Sequence, residues 1–207
     1  MNGLAAHDLL PELLPPRGYV RPDEVAPAGD PSRAGREAAC ALVSGAIDQA
    51  LGGLPSESLV LLDEARSAAA GADASMRLMV ALNRTQALLE SGDLAAADDE
   101  AAWALRLARR ERRDRWAALA GLSAALVHLA RGRRNHARTR LGEAVRQFAR
   151  DGDALRRLQC HYLFGEIAYL AEDPIRAGSH YRDALGVARA AHEQAWIELL
   201  TLRFEHR

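Results

Sequence analysis

The sequence predicts an all-α solenoid of antiparallel helical hairpins, and three observations carry that prediction. Three turns, Ser91-Gly92-Asp93, Arg131-Gly132-Arg133 and Ala171-Glu172-Asp173, follow one another at intervals of 40 residues, each between two helical apolar stretches. Small residues recur in register after each turn: Ala97, Ala137 and Ala177, then seven positions on Ala104, Ala144 and Ala184. The composition is 49% hydrophobic but only 5% aromatic, with abundant alanine, which suits closely packed helices better than a β-sandwich. A fixed period of this size marks stacked helical units, each of which buries its apolar face only against its neighbours.

Residues 1–31 stand apart, holding six of the eight prolines: Pro11, Pro15, Pro16, Pro22, Pro27 and Pro31. Proline breaks helices, so this segment is an N-terminal arm. Its apolar run from Leu9 to Leu14 either lacks fixed structure or lies on the scaffold and covers an apolar surface. Residues 32–191 supply four hairpins, and 192–207 a last capping or interface helix.

The first helix has Asp30 as cap and Pro31 at its first position and runs to about Leu51, where Gly52-Gly53 stops it. Pro55 opens the second. Asp73, Asp93, Asp114 and Asp153 are the expected caps of the third, fourth, fifth and seventh. The sixth spans about Arg134 to Arg150. Asp173-Pro174 starts the eighth with a capping carboxylate and a proline whose missing N–H costs nothing there. The ninth begins near His192.

At this point the residues resemble tetratricopeptide repeats. The small position of each first helix is Gly45, Thr85, Ala125 and Gly165, and the paired small positions of the second helices flank Ala101, Leu141 and Tyr181. The match covers about residues 76–195 and extends more weakly to 36–75, where Glu57 and Glu64 fall on the expected small positions. The period is 40 where the family has 34, and it is similar to the long repeat modules of bacterial transcription regulators and signalling ATPases. The resemblance implies a right-handed superhelix with a concave face lined by first helices, where partners dock. By family spacing, that groove presents Gln86, Glu90, Leu126, Leu129, Gln159, Tyr162, Glu166 and Tyr169.

Charge is uneven although its sum is −1: residues 1–105 hold 7 Arg against 16 acids, and 106–157 hold 15 Arg against 5 acids. Arg109, Arg110, Arg112, Arg113, Arg134 and Arg138 form a candidate basic patch for an acidic partner, or else a solvated face. A nucleic-acid role is disfavoured by the overall charge and by the lack of aromatics among the arginines. The ninth helix carries Trp196, Leu199, Leu200 and Phe204, too apolar on too many sides for a wet cap. A homodimer contact is one reading, a longer array another, and a cap partly covered by its own neighbours a third.

Catalytic chemistry is not expected. Ser179, His180 and Asp183 share one helix rather than converging from separate elements, as a triad must. None of the seven histidines is read as forming a two-ligand helical pair with a carboxylate at metal spacing, and no phosphate-cradling glycine loop is present. No metal or cofactor is expected. Cys40 and Cys160 read as two reduced core thiols. Without a leader or a spanning segment, a cytoplasmic location is expected. The functional expectation is a non-catalytic scaffold or adaptor that holds a peptide or protein segment. The alternative is a sensor module for a small ligand or signalling peptide, or binding of an acidic partner through the arginines.

Overall fold

The computed structural model describes residues 19–24 and 33–205. Among them are nine α-helices and one 3₁₀ turn, Pro22–Glu24, with no strand. The helices are α1 (Arg33–Leu51), α2 (Pro55–Ala68), α3 (Ala74–Glu90), α4 (Leu94–Arg110), α5 (Asp114–Ala130), α6 (Arg134–Asp151), α7 (Ala154–Tyr169), α8 (Pro174–Ala190) and α9 (Gln194–Glu205). Every helix packs on the next, and α3 also touches both α1 and α5, so the chain is a helical repeat. No helix of the described residues is long and apolar enough to cross a membrane. The Leu9–Leu14 stretch and the Asp30-Pro31 cap lie outside the described residues.

The turns repeat twice as often as the sequence suggests. Left-handed backbone, with φ from 51° to 84°, occurs at Gly92, Arg112, Gly132, Gly152, Glu172 and His192, one every 20 residues. The residue after each of the last five donates its N–H to the carbonyl five residues before it, as Arg113 does to Ala108 at 2.9 Å and Arg133 to His128 at 2.7 Å. This is the Schellman closure that satisfies the last carbonyls of a helix. Glycine marks only half of the six, so the period of 20 was hidden behind one of 40.

Four of the expected caps form. The carboxylates of Asp73, Asp93, Asp153 and Asp173 accept N–H bonds from the first turns of α3, α4, α7 and α8 at 2.7–3.2 Å. Asp114 does not cap: it is the first residue of α5, behind Arg113, and makes no capping bond. There it still complements the helix dipole. His192 sits in the turn, so α9 begins at Gln194.

The small positions of the repeat are buried: Thr85, Ala125, Ala97, Ala104, Ala137, Ala144, Ala177 and Ala184 are all within 1% of full burial. In the first unit the register differs from the expected one. Glu57 and Glu64 are exposed, while Ser58 and Ala65 are buried with Leu62 between them. Ala46, not Gly45, is the fully buried small residue of α1, and Gly53 holds the left-handed turn. All of these stand 39 residues before their counterparts, so the first unit is one residue short and an extrapolated period of 40 misses by one. At the other end Gly165 is needed for space, since a Cβ there would lie 2.5 Å from Cε1 of Tyr181.

Helix α9, the last of the described helices, packs on α8. Trp196 meets Tyr162 edge-on at 5.5 Å, and Trp196 and Leu200 are buried. Leu199 is half-buried, and of the four candidate interface residues only Phe204 is exposed. The apolar excess on this helix is thus spent largely inward, on a ring cluster with Tyr162 and Tyr181.

Candidate functional site

Helix α3 is buried almost throughout, yet it carries Asn83, Gln86 and Glu90 at helical spacings that place them on one face. Asn83 is fully buried. A buried amide must be hydrogen-bonded, and its partner comes from the arm. The Val20 N–H donates to Asn83 Oδ1 at 2.8 Å, and Asn83 Nδ2 donates back to the Val20 carbonyl at 2.8 Å. The same Nδ2 also donates to the Met79 carbonyl at 3.0 Å, which fixes the amide on its own helix. Both backbone groups of one arm residue are therefore read by one side chain, as a neighbouring strand would read them.

The residue before it adds a side-chain contact. The Tyr19 hydroxyl donates to Glu90 Oε2 at 2.6 Å, while Gln86 Nε2 donates to Glu90 Oε1 at 2.8 Å. Burial, then the hydrogen bond and charge of Glu90, push the Tyr19 phenol far above its ordinary value, so it stays a proton donor. Tyr19 and Val20 are 6% and 3% exposed, as buried as core residues. Beyond Val20 lies a shallow cleft of about 20 Å³, lined by Leu119, Leu122, Ser123 and Leu126 of α5 and Arg156, Gln159 and Leu163 of α7. Arg156 Nη1 donates to Gln159 Oε1 at 3.2 Å, so the far wall is polar and ordered.

Of the candidate groove residues, Gln86 and Glu90 hold the Tyr19 side, and Leu126 and Gln159 line the cleft beside Val20. Tyr162 and Glu166 serve the α7–α9 junction. Glu166 accepts the Tyr181 hydroxyl at 2.6 Å, and Arg203 lies against both Glu166 and the Tyr162 hydroxyl. Burial and the Glu166 charge push the Tyr162 phenol up to about 12, against the pull of Arg203. Leu129 is buried, and Tyr169 alone of the eight is largely exposed. Asn83, the centre of the site, was missed. Its signal was a polar, poorly helix-forming residue directly after the apolar run from Leu78 to Leu82.

The arginines divide. Arg109, Arg110, Arg112 and Arg113 lie before α5 and Arg134 and Arg138 after it, so the two groups flank a helix about 25 Å long and form no single patch. Arg109 pairs with Glu143 of α6 at 3.0 Å and Arg110 with its neighbour Glu111. Arg131 and Arg133 both reach Asp98 across the repeat. Much of the basic excess thus ties one unit to the next. Arg112, Arg113, Arg134 and Arg138 are exposed and make no ion pair among the described residues.

A second concavity of about 150 Å³ lies among α2, α3 and α4, lined by Arg66, Ala69, Ala70, Arg77, Val80, Ala81, Glu100 and Trp103. Glu100 is held there by Arg66 at 3.3 Å and Arg84 at 3.0 Å, whereas the buried Nε of Arg77 has no hydrogen-bond partner. Both cysteines are free thiols, and burial pushes the Cys160 thiol far up, into an unreactive state. Comparison with protein-family models and with curated proteins gives no match for this chain.

Proposed function

We propose that this chain is a non-catalytic, tetratricopeptide-like adaptor whose hairpins are antiparallel and coil right-handed. In this reading its concave face holds an extended peptide. The observation that carries the reading is the Asn83–Val20 pairing: the face formed by α3, α5 and α7 already holds Tyr19 and Val20, with both backbone groups of Val20 clamped. A backbone clamp grips any sequence, and Glu90 with the aliphatic wall adds selection for tyrosine followed by an aliphatic residue. The natural ligand is such a segment of another protein, exchanging with the chain's own arm. Two unpaired thiols fit a reducing compartment, the cytoplasm.

The test is displacement. In a full-length Tyr19→Ala/Val20→Pro variant, proline removes the N–H that Asn83 accepts, and the arm is released. A labelled peptide of residues 13–26 should bind this variant at least tenfold more tightly than the wild type, and adding Asn83→Ala should abolish binding. A folded released-arm variant that binds the peptide no better than the wild type would overturn the reading.

The second reading, a small-ligand sensor, is favoured by the cavity at Arg77 and Trp103. Its volume matches that of an engineered apolar cavity that takes benzene, and the unpartnered guanidinium nitrogen suits an anionic aromatic molecule. Saturable thermal stabilisation by benzoate-like compounds, lost in Arg77→Leu, would support it. Equal stabilisation of both proteins would exclude it.

A further inference from the structure

The wall between the first and second helix of each unit has one register and three chemistries. In the second unit it presents Ala81, Glu100 and Trp103, which line the cavity just described. Forty residues on it presents Gly121, Arg140 and Glu143, where Arg140 and Glu143 pair at 3.2 Å. Forty further it presents His161, His180 and Asp183. Packing of the repeat therefore does not require these residue types, because the same positions are filled differently in each unit.

We infer that His161 of α7 with His180 and Asp183 of α8 forms a binding site for a borderline divalent transition metal, zinc first among them. The donor atoms of the three residues lie within 4.8 Å of one another. His161 Nδ1 stands 3.9 Å from Asp183 Oδ2, too far for a hydrogen bond and near enough to share an ion. The Nδ1 atoms of His161 and His180 are both buried, and neither has a hydrogen-bond partner. Two buried imidazole nitrogens on residues clustered with one carboxylate, with nothing bonded to either, are a donor set waiting for an acceptor. His180 is further held by stacking on Phe164, with ring centroids 5.2 Å apart.

The chemistry of the set selects the metal. Two imidazoles and one carboxylate suit zinc, cobalt, nickel or copper, whereas magnesium and calcium want oxygen alone. Metal–nitrogen bonds of 2.0–2.1 Å place tetrahedral ligand atoms about 3.4 Å apart, so the cluster must close by roughly 1 Å. Asp183, with a side chain 55% exposed, is free to swing inward. Three protein ligands with an open outer side leave the fourth position for water or for a donor from a partner. Arg157 near His161, and Arg138 and Arg176 near His180, oppose a cation and weaken the site. An exchangeable ion is the expectation, not a structural one that the fold depends on.

The test is calorimetric titration of the untagged, chelator-stripped full-length chain with zinc chloride at neutral pH, with the melting temperature read in parallel. One equivalent of zinc should bind and raise the melting temperature. His180→Ala and Asp183→Asn should each weaken binding at least tenfold, while His128→Gln/His136→Gln, at the other histidine pair, should leave it unchanged. Asp183 is exposed, so its asparagine variant keeps the fold even if a histidine variant does not. Absence of zinc binding at millimolar concentration, equal competition by magnesium, or a change below threefold in Asp183→Asn would each overturn the site.

Discussion

Replacing Asn83 with alanine tests the clamp most directly. The substitution removes three hydrogen bonds, to the Val20 N–H, the Val20 carbonyl and the Met79 carbonyl. The Met79 carbonyl keeps its helical partner, so the loss falls on the two bonds to Val20. Each is worth about 0.5–1.5 kcal/mol net, and a buried group left unpaired costs about 1–3 kcal/mol. The arm escapes part of that penalty by detaching, which caps the loss at about 3 kcal/mol. That is roughly a hundredfold rise in the detached population. Chymotrypsin reads that population, because the Tyr19–Val20 bond is closed to it while both residues are buried. Cleavage follows the equilibrium of opening when opening is fast. The full-length Asn83→Ala variant should be cut at Tyr19 about a hundred times faster than the wild type, with helix content unchanged by circular dichroism. An increase below threefold in a folded variant would show that the arm is held by something other than Asn83.

Three further outcomes follow from the geometry. Gly165→Ala should destabilise by about 1–3 kcal/mol, the cost of overpacking, and lower the melting temperature by about 2–4 °C per kcal/mol. Adding Tyr181→Leu should recover part of this, since it reproduces the Ala125 and Leu141 combination of the preceding unit. Glu172→Gly should stabilise by up to about 1 kcal/mol in urea unfolding, because glutamate there is held at φ 56° and the left-handed region costs a side-chain-bearing residue about 1–2 kcal/mol. His128 has a pKa lowered by burial and then by Arg133, against Asp98. Its neutral form is the folded one. Its stabilising contribution is therefore complete above the ordinary value near 6.5 and is lost as pH falls through the depressed native value. In chelator, the melting temperature of His128→Gln should fall less between pH 7 and pH 5 than that of the wild type.

How much of this could be read in advance depended on whether a residue advertised its environment. The small positions did, because alanine at a fixed spacing is legible without neighbours, and the buried series from Ala97 to Ala184 matches. The turns did where glycine or aspartate stood in them, but not at Arg112 and His192, whose left-handed backbone has no compositional mark. The first unit slipped because a period carries no information about a single deletion. Helix α5 hid its phase for another reason: from Trp116 to Ala130 it carries no charged residue apart from a titratable histidine, so Leu126 and Leu129 could not be assigned to groove or core.

The pairings that complete the two sites were invisible for a common physical cause, which is distance along the chain. Val20 and Asn83 are 63 residues apart, and nothing in either neighbourhood names the other. His161 is 19 residues from His180, further than any helical spacing, and only the packing of α7 on α8 brings the rings to Asp183. In both cases one member gave a local sign, an amide directly after an apolar run or histidines at positions where other units have none. A polar residue that breaks the repeat is therefore the better guide to function than one that keeps it. The repeating positions are spoken for by packing, whereas Asn83 has Ser123 and Leu163 as counterparts and His180 has Arg140 and Glu100. Residues that the stack does not need are the ones left over for a ligand.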